Sequence, residues 1–444
     1  MRGCSTFSSP VPIDAAELTK RATMHLVSLL GVLVLLNFGT ATMGLPLPGA
    51  GGKFSPSNIA PILFVAIGAV LYLRKEGSIH KNILWFFLLF NLSCFLSFVI
   101  FLLRFDWRPN FLVLLFQDIE LVFCFLLIWY GRQNFGEFRS LVRPGIVISA
   151  AIGCFYGWLD FRQGNLLIAF GMDDKSHAAV LLACYSYIFV RFFPGGANVL
   201  IGLALLGISF LTISRLPVFF APAIALAIVQ GSRFGAALGA VGIGAFALTA
   251  IVVGEVVAQI FRVFGRLSSF EAIVGEASTS AHLLLLATAL KMKFSDLWSF
   301  VFGIGPGNFS KALLTNPDAF AQFERIDPNI SAAARLDKAP LHSTAMQLLL
   351  DYNILLFFCF LFYIARTIGQ LMRSRSLPDL AFAAGVVMAS MFYSIHNKPY
   401  FFLVLTTVGL LLLGERNAAL ASGVRKDSNR AVSMPGKVQP QVQD

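Results

Sequence analysis

Apolar runs of about 20 residues recur along this chain from Met24 to Leu413, and a run of that length is what a helix needs to cross the hydrocarbon of a bilayer. Twelve stand out, near 24–43, 57–73, 82–103, 111–130, 145–159, 177–193, 197–213, 216–230, 234–257, 343–365, 378–395 and 400–414. Hydrophobic residues make up 57% of the chain and charged ones 13%, with a mean hydropathy of +0.76. A soluble globule has no way to hide that much apolar surface. The expected fold is therefore an all-α integral membrane protein with about 12 transmembrane helices.

The first run follows a polar segment, 1–23, lacks a clear small-x-small cleavage site and is followed by further runs, so it reads as a retained span. Cys94, Cys124, Cys154, Cys184 and Cys359 fall within runs and Cys4 lies in the leading segment. That distribution predicts neither a disulfide framework nor a CxxC metal site. Orientation follows from where Lys and Arg gather beside short loops. Clusters such as Arg74–Lys75, Arg139 with Arg143, Arg373 with Arg375 and Arg425–Lys426 fall on one side of an alternating frame, the side that also holds both termini. Both termini are thus expected in the cytoplasm. Topology and attraction to anionic lipid account for the net charge of +11, with no nucleic-acid partner required.

One hydrophilic insertion, 258–342, interrupts the runs and is expected outside the cytoplasmic membrane. A loop of that length is usually functional. Within it, 282–303 reads as one or two short amphipathic helices at the membrane interface. Residues 415–444 carry too little apolar content to pack and are expected to lack fixed structure.

Several polar residues invite chemistry. His342 follows Pro340 and opens the run 343–365, which places it near a helix N-terminus at the outer surface. Ser343, Gln347 and Asp351 are spaced four apart and form one stripe below it. An aspartate in an apolar span costs about 2.5–3.5 kcal/mol on insertion scales, so the stripe is expected to face the bundle interior. His342 itself has two readings at this point, an interfacial anchor or an ionisable group with a task. Upstream, Gly303, Gly305 and Gly307 surround Pro306 in a tight turn, whose N–H groups can converge on phosphate oxygens. A turn of this kind is also often only a turn. Arg215 occupies an outer loop against the positive-inside trend, and Arg262 and Arg266 share a helix face after the ninth run. Each can bind an anion or merely snorkel. Gln117, Asp118, Glu120, Glu255 and His396 to Lys398 suit structural pairing better than catalysis. HExxH and DxD-like motifs are absent, and no metal or other cofactor is expected.

The order of these features resembles the O-antigen ligase and O-antigen polymerase superfamily of bacterial multi-span glycosyltransferases. Ser214–Arg215 stands between spans, a large outer loop carries GIGPGNF from Gly303 to Phe309, and His342 opens an apolar helix with Gln347 five residues on. The likeness covers about 171–362 and the twelve-span frame. It implies a GT-C-like architecture, a large periplasmic loop and a bacterial inner membrane. It also implies metal-independent transfer of a glycan from undecaprenyl diphosphate to an acceptor hydroxyl. Position by position, His342 matches the family's loop histidine and Arg215 its arginine at the paired-span turn. Ser343 and Met346 depart from the family pattern, and His282 stands where a second loop arginine is common. Arg266 is the substitute candidate for that cation, and His282, Arg262, Gly305 and Gly307 complete the expected diphosphate site. Gln347 and Asp351 would support the histidine.

An imidazole with a pKa near 6.5 can activate a hydroxyl, typically for about 10²- to 10⁴-fold. Arginines and a helix N-terminus can stabilise the departing diphosphate. A single base without a carboxylate nucleophile beside it predicts inversion at the anomeric carbon. Two acceptors remain open, a growing repeat-unit polymer or the lipid A core, and the missing loop arginine tilts the reading toward a polymerase. A lipid-linked glycan transporter is the non-enzyme alternative. It predicts repeat symmetry and a midplane site, whereas here the candidates gather around one outer loop.

Overall fold

A computed structural model describes residues 45–46, 53–54, 56–105, 111–162, 169–172, 174–212, 214, 216–231, 277–337, 339, 341, 343–374, 376–393 and 399–432. The regular elements among these residues are helices apart from one short antiparallel pair, β1 (Leu45–Pro46) with β2 (Lys53–Phe54), in which Leu45 stands opposite Phe54. The first helices are α1 (Pro56–Glu76), α2 (Lys81–Phe105), α3 (Phe111–Gln133), α4 (Phe135–Arg162), α5 (Lys175–Phe192) and α6 (Gly196–Phe210). A 3-10 turn (Leu216–Phe219) and α7 (Ala221–Gly231) follow. Among the described residues two helices, Lys81–Ile100 within α2 and Phe135–Arg162, are long and apolar enough to cross a membrane. Leu88, Leu92, Phe95 and Leu103 on α2 remain exposed, as on a helix that meets lipid rather than water. The expected runs 24–43 and 234–257 lie outside the described residues.

The main core is built around α5, which is buried from His177 to Val190. Asp174 caps its start, accepting the Ser176 N–H at 2.6 Å. Helix α6 comes unusually close to it. A Cβ at Gly202 would stand 2.5 Å from Val190 Cγ2, and the carbonyl exposed by that approach accepts the Ser186 hydroxyl at 2.6 Å. This is the small-residue packing that lets apolar helices touch backbone to backbone. Phe123 and Leu127 of α3, Ile224 of α7, and Phe382 and Leu411 from the last part of the chain complete this core.

A second core belongs to the insertion. Its helices are α8 (Ala277–Lys293), α9 (Leu297–Phe302), α10 (Phe309–Leu314), α11 (Pro317–Ile326) and α12 (Pro328–Arg335). The chain sets these boundaries with side-chain caps. Asp296 accepts the Trp298 and Ser299 N–H groups at 2.9 and 3.1 Å, Asn316 that of Ala319 at 3.3 Å, and Asp327 that of Asn329 at 3.1 Å. Proline follows Asn316 and Asp327 at the first helical position, where its missing N–H costs nothing. Ala281, Leu285, Ala289 and Met292 of α8 form one stripe against Phe309, Leu313, Phe323 and Ile330. Ile100 joins this core to α2.

Where one continuous helix was expected over 343–365, the structure has two, α13 (Thr344–Asp351) and α14 (Ile354–Ser374). The break is chemical: Asn353 accepts the Leu356 N–H at 2.7 Å and starts a new helix. Helices α15 (Leu377–Phe392) and α16 (Pro399–Val432) close the chain. The segment after Gly414, expected without fixed structure, instead continues α16 to Val432. Glu415 helps to hold its start, 2.9 Å from the Arg191 guanidinium.

Candidate functional site

Arg215, Arg262, Arg266 and His342 lie outside the described residues. The other expected residues are placed. His282 is half-buried on α8, which packs against α13. Gly305 and Gly307 sit in the turn between α9 and α10, and Gln347 and Asp351 lie on α13. Ser343 and Asp351, the two ends of the expected stripe, are both buried, while Gln347 between them is half-buried. Ser343 is the N-cap of α13, its hydroxyl accepting the Met346 N–H at 3.2 Å.

The glycine turn is folded as the sequence requires, with φ of +73° at Gly303, +83° at Gly305 and +79° at Gly307. Two of its N–H groups donate to the end of α13. Ile304 donates to the Leu350 carbonyl at 2.9 Å and Gly305 to the Asp351 carbonyl at 3.0 Å. The turn therefore satisfies the last carbonyls of α13, which a helix end leaves open. The Asn308 amide closes the turn on the inside, donating to the Ile304 carbonyl at 2.8 Å. Lys293, which is fully buried, donates to the next carbonyl, Tyr352, at 2.9 Å. Burial pushes its ammonium down to about 8, with the Asp351 charge acting the other way.

A group that sequence reasoning missed lies at the other end of α13. The Tyr393 carbonyl accepts both the Thr344 N–H at 3.2 Å and the Thr344 hydroxyl at 3.1 Å. The Tyr393 ring meets the buried His177 imidazole edge to face, with centroids 4.9 Å apart. Burial works to raise the Asp174 carboxyl, but hydrogen bonds from Tyr393 and Ser176 and the nearby His177 outweigh it and hold it below the usual carboxylate range. Asp174, His177 and Tyr393 thus tie the starts of α5 and α13 to the end of α15. The available signal was the Asp-x-x-His spacing, a cap followed by a histidine one turn later. It is hard to see inside an otherwise apolar run.

The sign of the Asp174 shift gives a prediction. A carboxylate depressed in the folded state adds stability above its unfolded value, and that stability is lost as pH falls through the folded value. Melting curves of the purified protein are expected to lose stability below about pH 4, and Asp174→Asn should flatten part of that loss. An identical acid limb in the variant would show that the cap carries no such charge.

The same end of α15 also receives the turn after residue 215. The 3-10 turn packs on α15, with Phe219 stacked on Phe392 at a centroid distance of 5.8 Å. Ser214 and Leu216, either side of Arg215 in the chain, are buried, as are Leu341 and Ser343, either side of His342. Among the described residues no group of three His, Cys, Asp or Glu side chains comes together as a metal site would need. No protein-family model matches the chain, and a search of curated proteins finds no similar sequence.

Proposed function

We propose that this chain is a glycosyltransferase of the O-antigen ligase and polymerase type, with twelve spans, both termini in the cytoplasm and the 258–342 loop in the periplasm of a bacterial inner membrane. It moves a glycan from undecaprenyl diphosphate to an acceptor hydroxyl, and the reading favours a repeat-unit polymerase over a ligase to lipid A core. In this reading His342 accepts the proton of the acceptor hydroxyl as the new glycosidic bond forms. Arg215 and Arg266, with Arg262, take up the charge of the departing diphosphate. Attack from the face opposite the leaving group inverts the anomeric carbon.

One observation supports this reading most. The chain neighbours of Arg215 and of His342 are brought to the same end of α15, through Phe219 against Phe392 and through Thr344 on the Tyr393 carbonyl. A base and a phosphate-binding cation are needed at one place, and described segments next to the two sequence positions that would supply them reach it from separate elements. The ionisable pair Asp174 and His177 stands at that place as well.

A gel of surface polysaccharide from a strain that carries His342→Ala tests it. A polymerase is expected to leave single repeats on the core, whereas a ligase would leave bare core and accumulate lipid-linked chains. An unchanged ladder would remove His342 from the chemistry, and a product that retains anomeric configuration would exclude single displacement.

A further inference from the structure

Most helices end on a cap from their own chain, often a glycine in the left-handed region just past the last turn. Helix α13 does not. Its C-cap, Tyr352, is extended at φ −110° and ψ 168°, and the carbonyls of Leu350, Asp351 and Tyr352 accept instead from Ile304, Gly305 and Lys293. All three donors come from the insertion. The approach is so close that a Cβ at Gly303 would stand 2.5 Å from the Tyr352 oxygen. Beside these carbonyls the Asp351 side chain is 1% exposed, and neither carboxylate oxygen has a hydrogen bond of full geometry. Lys293 is the cation whose charge acts on that buried side chain. The ammonium ties α8 to the end of α13 as a donor to the backbone of the residue after Asp351.

We propose that Lys293, Asp351 and the turn Gly303–Gly307 are positioning residues for the residue at 342, a clamp that fixes α13 by its C-terminal end. The clamp rests on the enzyme reading above for its purpose, although not for its geometry. Helix α13 has eight residues, about 12 Å of rigid rod. Its far end begins directly after His342 and is fixed by Tyr393. A rod held at both ends keeps Thr344, two residues after position 342 in the chain, in one place relative to the ends of α5 and α15. Released at the clamp, the rod pivots on Tyr393, and a displacement of about 1 Å at a reacting group costs about 10²-fold in rate. The glycine turn, in this account, binds a helix end and the charge beside it instead of a substrate phosphate.

The test uses the purified full chain with undecaprenyl-diphosphate-linked saccharide extracted from the host strain. Lys293→Met is expected to lower kcat about 10²-fold with little change in the donor KM, and to speed amide exchange over 344–351. The double variant Lys293→Met/Asp351→Leu, which leaves no unpaired charge, should regain the melting temperature without regaining kcat. Full turnover in Lys293→Met, or kcat restored in the double variant, would overturn the clamp. So would unchanged exchange over 344–351. If Lys293→Met does not accumulate, Gly305→Ala perturbs the turn while leaving Lys293 in place, and the same readouts apply. Were the wild type to show no transfer, the enzyme reading would fail, and exchange over 344–351 would still decide whether the clamp exists.

Discussion

Asp379→Ala is expected to destabilise the fold by about 3–5 kcal/mol, the usual result of removing one partner from a buried ion pair. Arg191 reaches Asp379 through two bonds, Nε to Oδ1 at 2.9 Å and a terminal nitrogen to Oδ2 at 3.1 Å. The Tyr187 and Ser376 hydroxyls donate to the same carboxylate. Asp379 is 3% exposed and Arg191 22%, so water replaces little of what the mutation removes. Glu415 would keep part of the arginine's charge balanced and sets the lower bound of the effect. The cluster joins α5, α15 and α16, and its loss should appear as a lower melting temperature in detergent. Arg191→Met/Asp379→Leu should recover much of that loss, because it leaves no charge behind. A double variant as unstable as the single would mean that the hydroxyls, not the ion pair, hold the three helices together.

Gly303→Ala is the second large effect, about 3 kcal/mol. At φ +73° any L-residue is strained, by roughly 1–2 kcal/mol, and the new methyl would also lie 2.5 Å from the Tyr352 oxygen and 2.7 Å from the Asp351 carbonyl. Backbone atoms held by the clamp have nowhere to go. Gly77 is the control, since its φ of +71° is nearly the same but nothing lies within 4 Å of its Cβ position. Gly77→Ala should therefore cost only the conformational part. Equal melting temperatures for the two variants would show that the contact at Gly303 relaxes freely.

The helices were legible because an apolar run announces a buried or lipid-facing helix whatever its partners. Expected runs at 57–73, 82–103, 111–130 and 177–193 each fall on a single helix. The break inside 343–365 was not, since Leu350 and Ile354 flank it without any change in apolar character. Its one local signal is Asn353, which caps α14 from three residues upstream of its bonded N–H. Lys293 was less legible still. It looks like Lys291, two residues earlier, and only the position of α13 sends one side chain inward. The glycines predicted a turn with converging N–H groups, and that turn is present. What the sequence does not carry is the direction in which those groups point, which depends on a helix end far along the chain. Asp174 and His177 were hidden for a similar reason, because their meaning comes from Tyr393 on α15.

The clamp has a consequence for how such a protein can diversify. Gly305 and Asp351 are pinned together, and Ser310 accepts the Ala339 N–H at 2.8 Å just inside that pin. The chain between them, which holds α11 and α12, is thus a closed excursion with fixed ends. Its outer edge is exposed and joined by the Arg335–Glu324 pair at the surface. Doubling the length of such a closed loop costs only about 0.6 kcal/mol in closure entropy. The α11–α12 stretch is in this sense a cassette: its exposed edge can be lengthened or trimmed while Phe323 and Ile330 keep their places in the second core and both ends of α13 keep their anchors.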